Sequence, residues 1–369
     1  MSAASAINIL MTADTVGGVW TYASALASSL AASGANVTLV TIGPPPRADQ
    51  REMFCGSRVR LIETNLALEW QDPEGHDLAH AKRILAELEI QFRPDIVHLN
   101  SFREATFRWS VPTVVVAHSC VNSWALACRD TAWLNEPRWN RYTEAVASAL
   151  DSARAWVCPS QSFHDDIVKI YHPSSPGAVI WNGIAPGDLP HRKRELILAA
   201  GRLWDRAKNI ETLAAAAPGL DWPVHVAGPG GTDSPDITWL GQLPQPDLHE
   251  RLQHAAIFAS PARYEPFGLS VLEAAAAGCA LVLSDIPTFR ELWSGAALFF
   301  DPSDSPTLHR LLADLCFDDL ERAQLQRRAY EHSLTYSLAR TTSAYLKLYE
   351  ELLTSERASA PHSRIEVRA

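Results

Sequence analysis

Between residues 259 and 283 the chain reads ASPARYEPFGLSVLEAAAAGCALVL. An apolar run ends at Ser260-Pro261, a polar turn follows, an Ala-rich helix is expected from near Ser270, and a second apolar run opens at Ala280. Strand, loop, helix and strand in so short a span leave little room for anything but a crossover between parallel strands. Glu265 falls in the loop and Glu273 on the first turns of the helix, with Phe267-Gly268-Leu269 between them. A glycine at a helix mouth lets a ligand come close to free backbone N–H groups, whose partial positive charge favours phosphate. Carboxylates beside it suit sugar or ribose hydroxyls, because an ionised carboxylate accepts several hydrogen bonds. Together these features point to a nucleotide-sugar pocket. Ser270 and Glu273 also read as a plain capping box, whereas Glu265 has no such alternative.

The rest of the chain repeats the alternation. Its 369 residues suit two domains. A buried strand at 7–12 leads through Ala13-Asp14-Thr15-Val16-Gly17-Gly18 into an amphipathic helix closed by Gly34, and the next strand follows at 36–42. Glycines at a first strand-to-helix turn allow close backbone approach to a ligand. The fingerprint G-x-G-x-x-G is absent, so a dinucleotide site of that type is not expected, and Gly17-Gly18 also reads as a tight turn. Residues 44–50 read as loop and 66–77 as an irregular acidic segment. A strand at 112–117 delivers His118 to its carboxyl end, where parallel sheets do chemistry, though a structural histidine fits there too. A helix at 162–171 carries Ser162 and Asp165 as a capping box.

Residues 182–195, rich in Gly, Pro and charge, mark a linker. A second set of strands and helices follows, with Asn209 as a helix cap. The expected organisation is α/β: a first doubly wound domain over 1–183, a second over 184–334, a helix over 335–354 that crosses back to the first, and a frayed polar tail over 355–369. The carboxyl ends of both sheets would then face one cleft.

A net charge of -10 argues against nucleic acid as a partner. The six cysteines show no C-x-x-C spacing and read as buried free thiols of a reducing compartment. The amino-terminal stretch has no basic region before its short apolar run, and no run reaches about 18 apolar residues, so a cytoplasmic chain with at most peripheral membrane contact is expected.

The loop AAGRLWDRAKN carries Arg202 and Lys208 around the cap of the next helix, where both can converge on one anion. No Asp-x-Asp run or His-rich constellation offers to hold a divalent ion. These cations would therefore neutralise a departing diphosphate in place of a metal, and no cofactor is expected. Solvated surface cations are the plainer alternative.

These stretches resemble the retaining nucleotide-sugar glycosyltransferases of glycosyltransferase family 4, with the two-domain fold called GT-B. The likeness runs from GGVWTYASALASSLAASGANVTLV through PSQSFHDDI and VIWNGI to AAGRLWDRAKN and on to SDIPTFREL. It implies a diphosphate clamp at Arg202 and Lys208, a ribose-binding carboxylate at Glu273 and a donor-sugar carboxylate at Glu265. It also implies phosphate and sugar contacts from Phe267, Gly268 and Leu269, a donor-closing loop at Gly17 and Gly18, and an active-site histidine at His118. The segment Ile286-Pro287-Thr288-Phe289-Arg290-Glu291 replaces the family's Gly-containing turn before its glutamate, and residues 50–77 and 120–136, where acceptors bind, follow no recognisable pattern. The implied reaction moves a hexose from a nucleoside-diphosphate sugar to the hydroxyl of a carbohydrate, lipid-linked or small-molecule acceptor, with the acceptor attacking from the leaving-group side. A sugar-nucleotide epimerase, a sugar phosphorylase and a silent sugar-nucleotide binder remain as alternatives. Twelve tryptophans, Trp70, Trp124, Trp133 and Trp139 among them, read as core and interface packing before acceptor stacking.

Overall fold

The computed structural model describes residues 6–185, 192–231 and 234–359. The expected linker is thus described only at its two ends, and the tail only as far as Ser359.

The first sheet is parallel. Its strands are β1 (Asn8–Asp14), β2 (Asn36–Ile42), β3 (Arg60–Ile62), β4 (Ile96–Leu99), β5 (Thr113–Val116), β6 (Ala155–Cys158) and β7 (Ala178–Val179), in the order β3-β2-β1-β4-β5-β6-β7. Between them run α1 (Gly18–Ala32), α2 (Ala48–Glu52), α3 (Leu78–Phe92), α4 (Val121–Ala127), α5 (Pro137–Ser152) and α6 (Gln161–Tyr171). The second sheet is built the same way from β8 (Arg194–Ala200), β9 (Val224–Ala227), β10 (Ile237–Gly241), β11 (Ala255–Ser260), β12 (Ala280–Ser284) and β13 (Leu298–Phe300), in the order β10-β9-β8-β11-β12-β13. Its helices are α7 (Ile210–Ala216), α8 (Gln245–His254), α9 (Leu269–Ala276), α10 (Pro287–Trp293), α11 (Ser305–Phe317) and α12 (Asp319–Ser333), followed by α13 (Leu338–Ser359).

Strands covered on both faces must be apolar throughout, and β5 (TVVV) and β12 (ALVLS) are buried at every position. Two apolar layers flank each sheet. One layer of the first sheet takes in Trp20 and Leu26 of α1 together with Tyr345, Tyr349 and Leu352 of α13, so the last helix packs into the core of the first domain. The chain crosses between domains twice, side by side: Leu338 N donates to Ile184 O at 2.8 Å, and Ile184 N to Tyr336 O at 3.2 Å.

In an open parallel sheet a ligand binds where the strand order reverses. Here those points are β1/β4 and β8/β11. Asp14 ends β1 and Gly17 and Gly18 come just after it, Asn100 follows β4, Arg202 and Lys208 follow β8, and Glu265 follows β11.

Several local expectations differ from the structure. The cap of α9 is Gly268 in the left-handed region (φ 89), so the helix opens at Leu269 and the Ser270–Glu273 capping box does not form. Ser160, not Ser162, caps α6 by accepting from the Phe163 amide at 3.2 Å. Asn209 stands at the cap position of α7 but sends its side-chain amide to Pro261 O and Pro302 O, both at 2.7 Å, because two buried carbonyls need a donor there. A short helix, α2, lies where loop was expected, and α13 continues through Ser359 where fraying was expected.

Candidate active site

Past β8 the chain turns so that Arg202 Nη2 donates to Asp205 Oδ2 at 2.7 Å. Asp205 is buried, and it also accepts from Trp124 Nε1 at 2.9 Å and the Ala207 amide at 3.0 Å. Burial pushes its carboxyl up, but the hydrogen bonds from Arg202 and Trp124 outweigh that and hold it below its ordinary value. Arg202 Nε is buried with no hydrogen-bond partner. The guanidinium therefore keeps donors to spare, and a buried unpaired donor is costly until something accepts from it. Lys208 forms an ion pair with Glu265, both side chains largely buried.

The mouth of α9 has no side-chain cap among the described residues. A Cβ on Gly268 would lie 3.1 Å from the Phe289 ring and 3.2 Å from Glu265 Cγ, so glycine is required there by crowding as well as by φ. Phe267 is buried against Tyr336, while Leu269 faces the first domain, 3.8 Å from where a Cβ on Gly18 would stand. Glu273 sits a turn further on. Burial pushes its carboxyl up to about 7, against a hydrogen bond from Gln245.

Gly17 has φ 72, and a Cβ there would come within 2.8 Å of Arg202 Nη1. The glycine loop thus touches the cation of the other domain. Gln50 Nε2 donates to Thr15 O at 3.0 Å, and the Val16 amide donates to Asp14 Oδ1 at 2.7 Å, fixing that loop. Burial raises the Asp14 carboxyl to about 6, with the Val16 amide and Arg202 pulling the other way.

His118 lies just past β5, with Nε2 2.7 Å from Asn100 Oδ1. Asn100 donates its own amide N–H to Thr12 O at 2.6 Å, so Oδ1 is turned to the histidine and Nε2 carries the proton. Burial, with His98 adding to it, drops the imidazole to about 3. A neutral ring with Nδ1 left as an acceptor is the result. Its ring contact is Tyr22, at 4.5 Å between centroids.

The structure thus joins Gly17 to Arg202, Gly18 to Leu269 and Lys208 to Glu265. The contacts of His118 stay within the first domain, and Glu273 pairs with Gln245. Asp14, Asn100, Asp205 and Glu291 did not stand out in the sequence. Asp14 adjoins the glycines and Asp205 lies three residues from Arg202, which are signals, but the Trp124 bond to Asp205 and the partners of Glu291 come from the other domain. A concavity of about 270 Å³ lined by Asn8, Asn36, Arg58 and Arg60 lies at the amino ends of the strands, the wrong end of a parallel sheet for a ligand. Among the described residues no three His, Cys, Asp or Glu side chains are grouped to hold a metal ion, and no helix is long and apolar enough to cross a membrane.

Comparison with known proteins points one way. The family profile described as Glycosyltransferase Family 4 matches residues 16–187, and that described as Glycosyl transferases group 1 matches residues 186–332. The chain is 26% identical to a glycogen synthase of Mycobacterium tuberculosis, over 94% of each chain. Its fold is that of sucrose-phosphate synthase from Thermosynechococcus elongatus, with TM-score 0.77, 17% identity, and 95% of this chain and 100% of that one covered. It is also that of Anabaena HepE in complex with UDP and glucose, with TM-score 0.74, 14% identity, and 94% and 100% covered.

Proposed function

The chain belongs to glycosyltransferase family 4, and from that premise we propose that it moves a hexose from a nucleoside-diphosphate sugar to an acceptor hydroxyl, with retention at the anomeric carbon and without a metal. The observation that carries the reading is Arg202, whose guanidinium, with a buried and unpaired Nε, stands at the strand reversal of the second sheet against the glycine loop of the first domain. A diphosphate entering there takes up the spare Arg202 donors, draws Lys208 away from Glu265, and meets the uncapped mouth of α9. Glu265, freed of its partner, accepts from the sugar hydroxyls. His118 Nδ1 accepts from another, and Glu273 holds the ribose. Bound hydroxyls favour the ionised form of Glu273, so nucleotide binding lowers its pKa from about 7.

In the reaction the bond from the anomeric carbon to the diphosphate oxygen breaks, a bond to the acceptor oxygen forms on the same face, and the acceptor proton passes to a phosphate oxygen. The protein's contribution is charge placed in advance where the leaving group develops its own, in a gap from which domain closure would expel water. The acceptor is a carbohydrate, a lipid-linked saccharide or a small molecule. HepE, whose fold this chain shares, is described in complex with UDP and glucose, which supports a nucleotide-sugar donor.

Turnover of Lys208→Ala and Glu265→Gln at saturating donor tests the assignment. Each variant is expected to lose about 100-fold or more in kcat, the usual scale for removing one preorganised charge partner. Wild-type rates in both overturn the reading. Release of nucleoside diphosphate only when acceptor is present separates transfer from epimerisation and from silent binding.

A further inference from the structure

Both chain neighbours of Glu265 are held by the other domain. The hydroxyl of Tyr264 lies 2.7 Å from Ser123 Oγ and accepts from the Cys120 amide at 3.3 Å, at the amino end of α4. The carbonyl of Pro266 accepts from Ser160 Oγ at 2.6 Å, at the amino end of α6. Ser160 is fully buried. Helix α6 is tied to the second domain a second time, since the Glu291 carboxylate accepts from the Gln161 and Ser162 amides at 2.8 and 2.7 Å. A carboxylate suits that place, where first-turn amides lack partners and the helix end is partly positive. Inside its own domain the loop is anchored one residue earlier, by Arg263 N donating to Ala207 O at 2.8 Å.

Planar peptide units and the fixed φ of proline leave residue 265 little freedom once the groups on either side are pinned. The backbone at residue 265 is therefore fixed from outside the domain that carries it, and once a diphosphate takes Lys208 from the carboxylate the direction of Glu265 rests on that backbone. We propose that Ser160 and Tyr264 are positioning residues: by hydrogen-bonding across the gap they fix where Glu265 points, so that the donor sugar is oriented only while the two domains are in contact. The proposal rests on the assignment of Glu265 to the donor sugar. Arg202, Lys208, Glu273 and the mouth of α9 all belong to the second domain, so nucleotide binding needs no such clamp. Binding and turnover should come apart when the clamp is cut. The clamp also limits wasteful donor hydrolysis, because a sugar is activated only when the acceptor-bearing domain is docked.

The test uses the full chain with Ser160→Ala, Ser160→Thr and Tyr264→Phe. UDP-glucose and GDP-mannose serve as donor probes with maltooligosaccharides as acceptor, and UDP and GDP binding is measured by calorimetry. Ser160→Ala and Tyr264→Phe are expected to lower kcat about tenfold or more, the scale of losing one hydrogen bond that holds a reacting geometry, while donor KM and nucleotide Kd stay within about twofold. Ser160→Thr keeps the hydroxyl and is expected to keep most of the rate. Ser160 also caps α6, so melting temperatures are recorded, and Tyr264→Phe is the cleaner variant because its lost hydroxyl bonds only across the gap. The proposal is overturned if kcat is unchanged in both variants, or if kcat, KM and melting temperature fall together with no rescue by threonine. Wild-type protein that binds neither nucleotide overturns the donor reading and this proposal with it. Wild type that binds and turns over beside variants that do the same overturns this proposal alone.

Discussion

Lys208 and Glu265 neutralise one another in the ligand-free site, and Arg202 leans on Asp205 with a donor left over. Each cation is held in place by a carboxylate that a diphosphate can displace or supplement, so the clamp is organised before its ligand arrives. The carboxyls around the cleft show what that arrangement demands. Asp14 is raised to about 6 and Glu273 to about 7, each chiefly by burial. A carboxyl with a raised folded-state pKa holds its proton more tightly folded than unfolded, so stability falls as pH rises from the unfolded value toward the folded one. For Glu273 that window runs from 4.5 to about 7, and the loss across it is on the order of 3 kcal/mol. The melting temperature of the ligand-free protein is expected to drop across that window, and Glu273→Gln to flatten part of the drop. An unchanged slope in the variant removes Glu273 as a cause. Glu265 and Arg202 were legible as candidate site residues because their types and their places beside strand ends are local facts. Asp205 and Glu291 were not, since the groups that give them meaning, Trp124 and the α6 amides, lie 81 and about 130 positions away in sequence.

At the level of elements, strands and long helices follow from apolar periodicity, and the sequence places them within a few residues. Helix starts are harder where two patterns compete. Ser270-x-x-Glu273 offers a capping box, but Gly268 reaches the left-handed region at little cost, and the chain uses it to open α9 two residues sooner. The Ser162–Asp165 pattern loses to Ser160 because that hydroxyl both caps α6 and reaches Pro266. The mouth of α1 is built on the same glycine principle, which gives a paired prediction. Gly17→Ala puts a methyl at φ 72 and against Arg202, and is expected to lose about 1 kcal/mol of stability and at least about tenfold in kcat/KM. Gly34→Ala, at φ 99 with nothing nearby, is expected to lose similar stability and no activity. Equal activity losses in the two variants contradict the close approach of the glycine loop to the clamp.

Across the whole molecule, two sheets of like topology present their reversal points to each other, and α13 returns to pack on α1, so the chain crosses the gap twice in adjacent positions. Contacts across the gap are largely polar, among them Arg206 to Asp130 at 2.6 Å, Trp124 to Asp205, Tyr264 to Ser123, Ser160 to Pro266 and Glu291 to the α6 amides, with Tyr264 and Leu269 adding apolar packing on the first domain. Interfaces of this kind permit domain movement. Two alternating halves facing one cleft were readable from the sequence, whereas the particular polar groups that meet across it were not, because nothing local encodes which surface groups pair. Since charge on the protein is proposed to replace a metal, turnover is expected to be unchanged in excess chelator, and abolition by chelator with rescue by a divalent ion contradicts that. The most direct measurement is a crystal structure with nucleoside diphosphate bound in the presence of chelator. The diphosphate is expected within hydrogen-bond reach of Arg202, Lys208 and the first amides of α9, with Lys208 released from Glu265. A diphosphate bound away from those groups, or with the Lys208–Glu265 pair intact, contradicts it.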